Sequence, residues 1–416
     1  SYLINEIRKL FPEIPVRDIE KEEKPEEKLE MPRSGEALFL EELGRAAEGE
    51  IDPLFEELYR WYAAHPEAGI PAETYRKAAF LRCADGVIGK SAASALYGDT
   101  LKNSATRLEK YAACAFAHFM EFGLQIRERD QYELKAADMG TVMHEALEKF
   151  SKKLQENGET WKTVTDDTRD RLIEEGVEET MADYGNTIFQ SSSRNQYRII
   201  RVKRILKRTV WALQQQIRQG EFEPGEFEVS FSMEDSLSAI NIDLSEHEKM
   251  RLRGRIDRVD LCETDDKVYV KIIDYKTGNT SLDLVALYYG LQLQLVVYMD
   301  AAMQAEKRLY PECEVEPAGI FYYNVKDPMI QKTLQEDLDE LDPEIMKKLK
   351  MNGLVQADPE LVYRMDSSLG SIPVAFNKDG SFRKNSSVAD RTQFAVLGRY
   401  VRTKIEKIRS SILEGD

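Results

Sequence analysis

The amino-acid sequence predicts an α+β fold with a central mixed sheet and an N-terminal helical segment. In the first half of its 416 residues, apolar residues recur every three to four positions, which is typical of amphipathic helices. After "EPGEF" the hydrophobic period changes to two in "FEVSF", "RLRGRIDRVDLCE" and "KVYVKIIDYKT", which predicts strands. The apolar run "LDLVALYYGLQLQLVVYMDAAMQAEKRL" then predicts one long helix.

The N-terminal part predicts an all-helical segment. "GEALFLEELGRAA", "IDPLFEELYRWYAAH" and "AETYRKAAFLRC" each place apolar residues at helical spacing. Further helices follow in "LKNSATRLEKYAACAFAHFMEFGLQIR", where Ser104 or Thr106 is the expected cap, and in "DMGTVMHEALEKFSKKLQEN". We therefore divide the chain into a helical segment over residues 1–100 and an α+β domain over residues 101–416.

Two of the predicted strands form a hairpin. The polar turn "TDD" separates "RLRGRIDRVDLCE" from "KVYVKIIDYKT" by a distance typical of a tight connection. A further strand is expected in "AGIFYYNV", and a helix at "FAVLGRYVRTKIEKIRSSILE".

Composition and segment content predict a soluble, cytoplasmic protein. An apolar fraction of 42% is typical of globular proteins, and no apolar run approaches the roughly 18 residues of a membrane span. "SYLINEIRKLFPEIP" lacks the charged-then-apolar layout of a signal peptide. The four cysteines form no C-x-x-C pair, so neither a disulfide framework nor a complete zinc motif is expected.

Charge alone does not decide whether the partner is a nucleic acid. A net charge of −17 argues against a polyanionic partner, because nucleic-acid binding depends on neutralising phosphates. The stretch from Arg194 to Arg208, however, contains seven basic residues and no acidic one. This stretch is equally consistent with a solvated helix face and with a surface that binds the backbone of a single nucleic-acid strand, with Tyr197 next to the bases.

The hairpin places charged residues where they can meet. Asp274 and Lys276 are two apart on a strand, so they point to one face while Tyr275 points to the other. Asp257 lies on the preceding strand. Two converging carboxylates repel each other unless a cation joins them, and oxygen ligands favour Mg²⁺ or Mn²⁺. The alternative is a surface ion pair at a sheet edge.

The order of these motifs resembles a known family. A helix with "GTVMHEALE", strands with "GRIDRVD" and "IIDYKTG", and a helix with "LQLQLVVYMDA" resemble the PD-(D/E)xK nuclease superfamily in its RecB-type exonuclease form. The flanking "SATRLEKYAACAFAHFMEFGLQIRER" and "YYGLQLQLVVYMDA" resemble the C-terminal nuclease domains of the AddB family, subunits of bacterial AddAB helicase–nucleases. The resemblance implies a restriction-endonuclease-like core, with residues 1–100 at the end of a helicase-like region.

The resemblance also implies an active site. Lys276 becomes the catalytic lysine, and the implied chemistry is metal-assisted phosphodiester hydrolysis with Mg²⁺ or Mn²⁺. The implied metal ligands are His144, Asp257, Asp274 and the backbone carbonyl of Tyr275. Gln294 and Tyr298, four apart and so on one helical face, match the family's Q-x-x-x-Y motif.

Three more charged residues lie near these motifs. Glu228 in "FEVSF" occupies the place where many such nucleases have an acidic residue before the sheet. Arg255 and Arg258, on either side of Asp257, are expected to be solvated strand charges.

A cysteine raises the question of a second cofactor. AddB-type relatives bind a [4Fe–4S] cluster through one cysteine at the "YAACAF" position, which is Cys114 here, and three cysteines near the far C-terminus. Those three are absent and the chain ends at "SSILEGD", so the cluster is expected in the full-length family member but not in this chain. Cys114 is then expected to be a buried free thiol on an apolar helix face.

The predicted function is Mg²⁺-dependent cleavage of DNA strands fed from a duplex end, in the recombinational repair of double-strand breaks. The implied partner is an AddA-type helicase–nuclease subunit in a heterodimer, which supplies the ATP dependence; no membrane partner is expected. Two alternatives stay open: a catalytically silent DNA-binding or scaffold module of the same complex, and a stand-alone RecB-like nuclease. A complete set of His144, Asp257, Asp274 and Lys276 favours the nuclease, because a retired site is expected to lose members.

Overall fold

A computed structural model describes most of the chain. The exceptions are residues 1, 14–28, 30–31, 50–52, 69, 81–85, 99–100, 130–133, 184–186, 232–240, 244–248 and 330–340, and for some others, including 228–231 and 249–253, only the backbone is described. The chain forms two compact units, Ser1–Gly86 and Val87–Asp416. Within the described residues, no helix has both the length and the apolar character needed to cross a bilayer.

The first unit is helical, as predicted. Its helices are α1 (Tyr2–Leu10), α2 (Pro32–Glu48), α3 (Pro53–Ala64) and α4 (Ala72–Ala79), with a short 3₁₀ turn at Pro66–Ala68. Phe39 is fully buried, and its ring lies 5.7 Å from that of Phe55 and 5.3 Å from that of Tyr62. This aromatic contact joins α2 to α3 and forms the centre of a small core.

Helices also open the second unit. They are α5 (Lys90–Tyr97), α6 (Ala105–Ala113), α7 (Ala115–His118) with a π-helical turn at Phe119–Gly123, α8 (Ala136–Glu156), α9 (Asp166–Asp183), α10 (Thr187–Gln190) and α11 (Ser193–Arg218). Ser104 is the cap of α6, because its Oγ accepts a hydrogen bond from the Arg107 backbone N–H at 3.2 Å.

The strands form the predicted mixed sheet. They are β1 (Leu101–Ser104), β2 (Glu223–Phe231), β3 (Asn241–Asp243), β4 (Lys249–Glu263), β5 (Lys267–Lys276), β6 (Glu314–Asn324), β7 (Asn352–Gln356) and β8 (Val388–Ala389). The order is β1-β4-β5-β6-β7-β8, and β2 and β3 also pair with β4. β4 and β5 form the expected antiparallel hairpin, while β5 and β6 run parallel. The parallel pair needs a crossover, which the helices after β5 provide.

The remaining helices are α12 (Leu284–Tyr289), α13 (Gln294–Leu309), α14 (Leu341–Lys348), α15 (Pro359–Met365) and α16 (Arg391–Glu414). The prediction of one long helix over the α12–α13 region was wrong. Gly290 follows α12 in a left-handed conformation with φ of 85°, which ends that helix in the way typical of glycine. The break leaves Gln294 at the start of its own helix.

The sheet separates two hydrophobic cores. On one face Ile273 and Tyr275 of β5 pack in a cluster with Phe150 of α8 and Leu206 of α11. The other face takes Val270 and Ile272 of β5, together with residues of α13 and α16 such as Val297 and Ile405. Because side chains alternate along β5, one strand supplies both cores.

Candidate active site

The β4–β5 hairpin brings Asp257 and Asp274 close together. The last paired residues of the antiparallel β4–β5 ladder at this end are Arg258 and Ile273. Asp257 precedes Arg258, and its carboxylate accepts a hydrogen bond from the backbone N–H of Tyr275, the residue after Asp274. The two carboxylates therefore meet at the carboxyl end of β5.

Asp274 and Lys276 lie on one face, as their spacing predicts. Lys276 Nζ lies 2.6 Å from Asp274 Oδ2. Asp274 is 1% exposed, and its Oδ2 makes this ion pair without forming a well-directed hydrogen bond. The carboxylate of this pair is buried, the Lys276 side chain is 29% exposed, and β5 lies between β4 and β6, so the interpretation as a surface ion pair at a sheet edge is wrong.

Asp257 joins the strand end to helix α8. Its Oδ2 accepts a hydrogen bond from the Tyr275 backbone N–H at 2.7 Å and lies 3.3 Å from His144 Nδ1. The His144 ring also meets the Tyr275 ring edge to face, with centroids 6.2 Å apart. The helix with "GTVMHEALE" thus supplies an imidazole to the two carboxylates.

Gln294 connects Lys276 to Tyr298. The Gln294 side-chain oxygen accepts a hydrogen bond from Lys276 Nζ at 2.9 Å, and its amide nitrogen donates to the Tyr298 hydroxyl at 2.7 Å. The Lys276 ammonium lies 5.5 Å from the centre of the Tyr322 ring, within cation–π range. These contacts hold the ammonium group at the end of its flexible stem.

Glu109 fixes the start of the helix that carries Gln294. Its Oε1 accepts hydrogen bonds from the backbone N–H groups of Leu293 at 2.6 Å and Gln294 at 3.0 Å. Helix starts leave such donors without intrahelical partners, and a carboxylate there also interacts favourably with the helix dipole. Glu109 on α6 therefore orients α13 towards Lys276.

The two aspartates shift the proton affinities around them. Burial, followed by the charge of Asp257, raises the pKa of Asp274 to about 7, although Lys276 and His144 oppose the shift. Burial disfavours the charged form of His144, but its hydrogen bond to Asp257 and the nearby carboxylates outweigh this and raise the pKa of His144. The site therefore holds two neighbouring buried carboxylates whose repulsion Lys276 and His144 offset only in part.

This donor set fits a hard divalent cation. Two facing carboxylates and an imidazole are ligand types that such ions accept, and a cation would relieve the repulsion that raises the pKa of Asp274. In the described part of the chain, no three His, Cys, Asp or Glu side chains are already gathered around a metal position. The Asp274 and Asp257 oxygens instead face Lys276 and the Tyr275 N–H.

Comparison with known families decides the class. The model of the PD-(D/E)XK nuclease superfamily matches residues 102–414. The chain belongs to this superfamily. The predictions of its fold and of an enzyme of the nuclease class are thereby confirmed at the level of the family, whose members generally use divalent metal ions.

Similar proteins are named as subunits of an ATP-dependent helicase/deoxyribonuclease. One such subunit, from Lachnoclostridium phytofermentans, is 41% identical over 429 residues, which cover 100% of this chain and 36% of that protein. The subunit of the same name from Alkaliphilus metalliredigens is 38% identical over 86% of this chain and 32% of its own length. The subunit of the same name from Clostridium tetani is 35% identical over 100% of this chain and 37% of its own length. The chain thus spans about a third of the length of these relatives.

The expectation that Cys114 is buried was wrong. Helix α6 ends at Ala113, and Cys114 has an extended backbone with φ of −164°, so it does not lie on an apolar helix face. Its exposed thiol instead accepts a hydrogen bond from the Ala117 N–H at 3.4 Å, as the cap of α7. Of the other cysteines, Cys262 is buried, Cys313 is partly buried and Cys83 lies outside the described residues. The three cysteines that the structure describes are fewer than the four thiolates that a [4Fe–4S] cluster takes.

Arg258 was wrongly predicted to be solvated. It is 1% exposed, donates to both carboxylate oxygens of Asp260 at 2.5 and 2.8 Å, and lies over the Trp161 ring. Lys271, across the hairpin, contacts the same carboxylate at 2.7 Å. Arg255 is exposed as expected, whereas the Glu228 side chain lies outside the described residues.

The basic run divides along α11. Among the described contacts, four of its residues pair with carboxylates, namely Lys203, Arg204, Lys207 and Arg208. Arg198 donates to the Leu134 backbone carbonyl at 2.9 Å, Arg201 is exposed, and Tyr197 is 62% exposed. The later part of the run thus serves mainly ion pairs between elements.

Sequence reasoning missed Glu109 and the Arg258–Asp260–Lys271 network. Glu109 contacts residues 184 and 185 positions away, so no local pattern marks it. The alternation of Arg258 and Asp260 on one strand, with Lys271 across a predicted hairpin, was a usable signal for an internal ion-pair cluster.

Proposed function

We propose that this chain is a DNA nuclease domain that uses Mg²⁺ or Mn²⁺ and belongs to a helicase–nuclease complex. In this proposal it cleaves single strands fed from a duplex end, as part of recombinational repair of double-strand breaks in the cytoplasm. Residues 1–100 are then the end of a helicase-like region, and residues 101–416 the nuclease domain. The names of the relatives as helicase/deoxyribonuclease subunits support the assignment.

One observation supports it most: the contact of Lys276 with both Asp274 and Gln294, next to the Asp257–His144 pair, in a chain of this superfamily. A scaffold that had lost catalysis would not need to keep two buried carboxylates, Asp257 and Asp274, next to each other, because burying charges costs free energy. The same contacts therefore disfavour the silent-module alternative.

Each residue has a role in this proposal. The residues that hold the metal are His144, Asp257, Asp274 and the Tyr275 backbone carbonyl. A bound divalent ion supplies positive charge for the phosphate and lowers the pKa of a coordinated water. Lys276 orients the attacking water and balances the charge that develops on phosphorus oxygens. Gln294 and Tyr298 hold Lys276 in place, which limits the positions its flexible side chain takes.

The proposed partner is an AddA-type helicase–nuclease subunit in a heterodimer with the full-length form of this chain. ATP hydrolysis and strand feeding then belong to the helicase parts of the complex. We extend the proposal to Cys114, whose exposed thiol is available as one ligand of an iron–sulfur cluster completed by cysteines from outside this chain.

Strand cleavage tests the catalytic assignment. The chain is incubated with end-labelled single-stranded DNA and Mg²⁺ or Mn²⁺, beside Asp257→Ala and Lys276→Ala. Lys267→Ala is the matched control, because it removes the same charge from the opposite end of β5, where Lys267 pairs with Glu316. Cleavage by the parent and the control, but by neither site variant, is the expected result.

Calorimetry with Mn²⁺ gives a second readout. We expect the parent to bind the ion and Asp257→Ala to lose binding, while Lys276→Ala keeps it because lysine is not a ligand in this proposal. Equal cleavage by parent and Lys276→Ala would contradict the catalytic role, and an unchanged affinity in Asp257→Ala would contradict the metal site.

A further inference from the structure

A cavity of about 400 Å³ lies beside the candidate active site. It is formed by α8, α11 and the segments that follow β5 and β6. Met143 and Thr277 line it, and they are the chain neighbours of His144 and Lys276. Val325, which also lines it, donates its backbone N–H to the Lys276 carbonyl at 2.7 Å, so the cavity lies next to the site at the end of β5, on the face of the sheet to which Tyr275 points.

Basic side chains dominate the charge of this cavity. Its described lining contains four of them, Lys135, Arg198, Arg201 and Lys326. Arg198 donates to a backbone carbonyl and Lys326 Nζ contacts the Asn279 side-chain oxygen at 3.4 Å, so neither of these two contacts neutralises the charge. In a chain of net charge −17, this local excess of positive charge marks a place for an anion.

The carboxylate in the lining is already paired. Asp327 is the lining carboxylate among the described residues, and Arg204 Nε lies 2.8 Å from its Oδ2.

Helix α11 presents both basic and apolar side chains to the cavity. Arg198, Arg201 and Ile205 recur on one face of α11 at helical spacing. The cavity is thus suited to a ligand that has both an anionic and an apolar part.

Apolar side chains form the rest of the wall. They are Leu134, Met139, Met143, Val202, Ile205 and Val325. A volume of about 400 Å³ lies in the usual range for small-ligand sites, and flexible methionines adapt to flat apolar surfaces. A nucleobase with its phosphate has this size and this division of character.

We propose that the cavity binds a nucleotide of a single DNA strand next to the phosphate that is cleaved. Lys135, Arg198, Arg201 and Lys326 hold the backbone phosphate, and the apolar wall receives the unstacked base. The inference rests on the proposed function and adds the location of the bound DNA strand next to the site. A paired base is held in its stack, so the cavity selects single strands over duplex.

Binding without cleavage tests the inference. The affinity for fluorescein-labelled oligothymidylate is measured by anisotropy in EDTA as a function of salt. Arg201→Ala/Lys326→Ala is expected to weaken binding by at least about tenfold and to reduce the salt slope by about 1.4, or about 0.7 for each lost phosphate contact. Lys203→Ala is the matched control. Lys203 lies on the same helix, but its charge is already paired with the exposed Glu178. The affinity and the salt slope of this variant are expected to match those of the parent.

A small substrate separates this inference from the proposed function. Hydrolysis of bis(p-nitrophenyl) phosphate with Mn²⁺ needs the reacting centre but no strand path, so it tests the proposed function alone, and the Lys203→Ala control is expected to keep the parental rate. A parent without this hydrolysis would count against the proposed function, while the binding measurement would still decide the cavity. Equal oligothymidylate affinity of the double variant and Lys203→Ala would overturn the inference, as would equal parental affinity for the oligothymidylate and its duplex.

Discussion

Asp260 and Asp274 are both buried carboxylates of the same hairpin, yet their surroundings shift their pKa values in opposite directions. Asp260 is bound by Arg258 and Lys271, whose charges outweigh its burial and lower its pKa. Asp274 faces Asp257 as well as Lys276, and burial together with the like charge raises its pKa to about 7. A carboxylate that is fully paired stabilises the fold, whereas one kept next to a like charge is typical of a functional site.

Asp260→Asn is expected to destabilise the domain by about 3–5 kcal/mol, because it leaves Arg258 and Lys271 buried without a counter-charge. Urea unfolding followed by circular dichroism measures the change. The control is Asp265→Asn in the exposed hairpin turn, where a change within about 0.5 kcal/mol is expected. A cost for Asp260→Asn as small as that of the control would show that the two cations are not held by this carboxylate.

The lowered pKa of His118 predicts that the folded domain loses stability at acidic pH. Burial, assisted by the charge of Arg107, lowers the pKa of His118 from 6.5 to about 4, while Glu121 opposes the shift. Between these values the unfolded state binds a proton that the folded state does not, so stability falls as pH decreases through this window. At about 1.4 kcal/mol per unit, the loss reaches about 3 kcal/mol at most.

His118→Gln keeps an acceptor for Arg107 Nε, which lies 3.2 Å from His118 Nε2, but does not titrate. The unfolding free energies of parent and variant are measured in urea at several pH values. From pH 6.5 to pH 4 the parent is expected to lose more stability than the variant. A difference that is constant with pH would mean that the ring titrates alike in both states.

At the scale of elements, the site depends on where helices begin. Gly290 ends α12 and Glu109 receives the first N–H groups of α13, so Gln294 starts a new helix beside Lys276. In one continuous helix its backbone N–H would be bonded within the helix and would not be available to α6. The short interruption therefore links α6, α13 and β5 at one point.

Glu109→Ala is expected to cost about 1–3 kcal/mol, because two partly buried N–H groups lose their acceptor. It is also expected to slow strand cleavage, since Gln294 loses its fixed position. Glu109→Gln keeps a side-chain oxygen at the same place and is the matched control. Urea unfolding and the rate of cleavage of end-labelled DNA are compared; equal losses in Ala and Gln variants would indicate that charge, not the hydrogen bonds, matters.

Periodic elements were predictable from the sequence, and their interruptions were not. The hairpin, the helix with His144 and the C-terminal helix follow clear hydrophobic periods. Strand β1 is four residues of mixed polarity that become a strand by parallel pairing with β4, which is a tertiary effect. The same holds for the site: the spacing of Asp274 and Lys276 predicts their contact, whereas Glu109 depends on a distant partner.

The whole domain is divided by its sheet into two cores. Ile173 of α9 is in one core and Ile405 of α16 is in the other, and both are 1% exposed. Changes in groups that share no neighbours add in free energy, while changes within one packed cluster do not. The sheet should therefore make the two sides energetically independent.

Ile173→Val and Ile405→Val are each expected to cost about 1 kcal/mol, and the double variant about their sum, within about 0.5 kcal/mol. Ile173→Val combined with Val177→Ala is the comparison, because these residues are one helical turn apart in the same core. Urea unfolding of all single and double variants gives the coupling energies. A coupling across the sheet as large as that within the core would contradict independence.

The bond between Glu109 and Leu293 also sets an order of events during synthesis. Glu109 leaves the ribosome 184 residues before its partner, and at 5–20 residues per second this takes roughly 10–40 s. Strands β4 and β5, with Asp257, Asp274 and Lys276, are translated in between, so the nascent chain holds its charged cluster before the helix that orients it exists. The candidate site is therefore complete only after Gln294 has been translated and has folded onto Glu109.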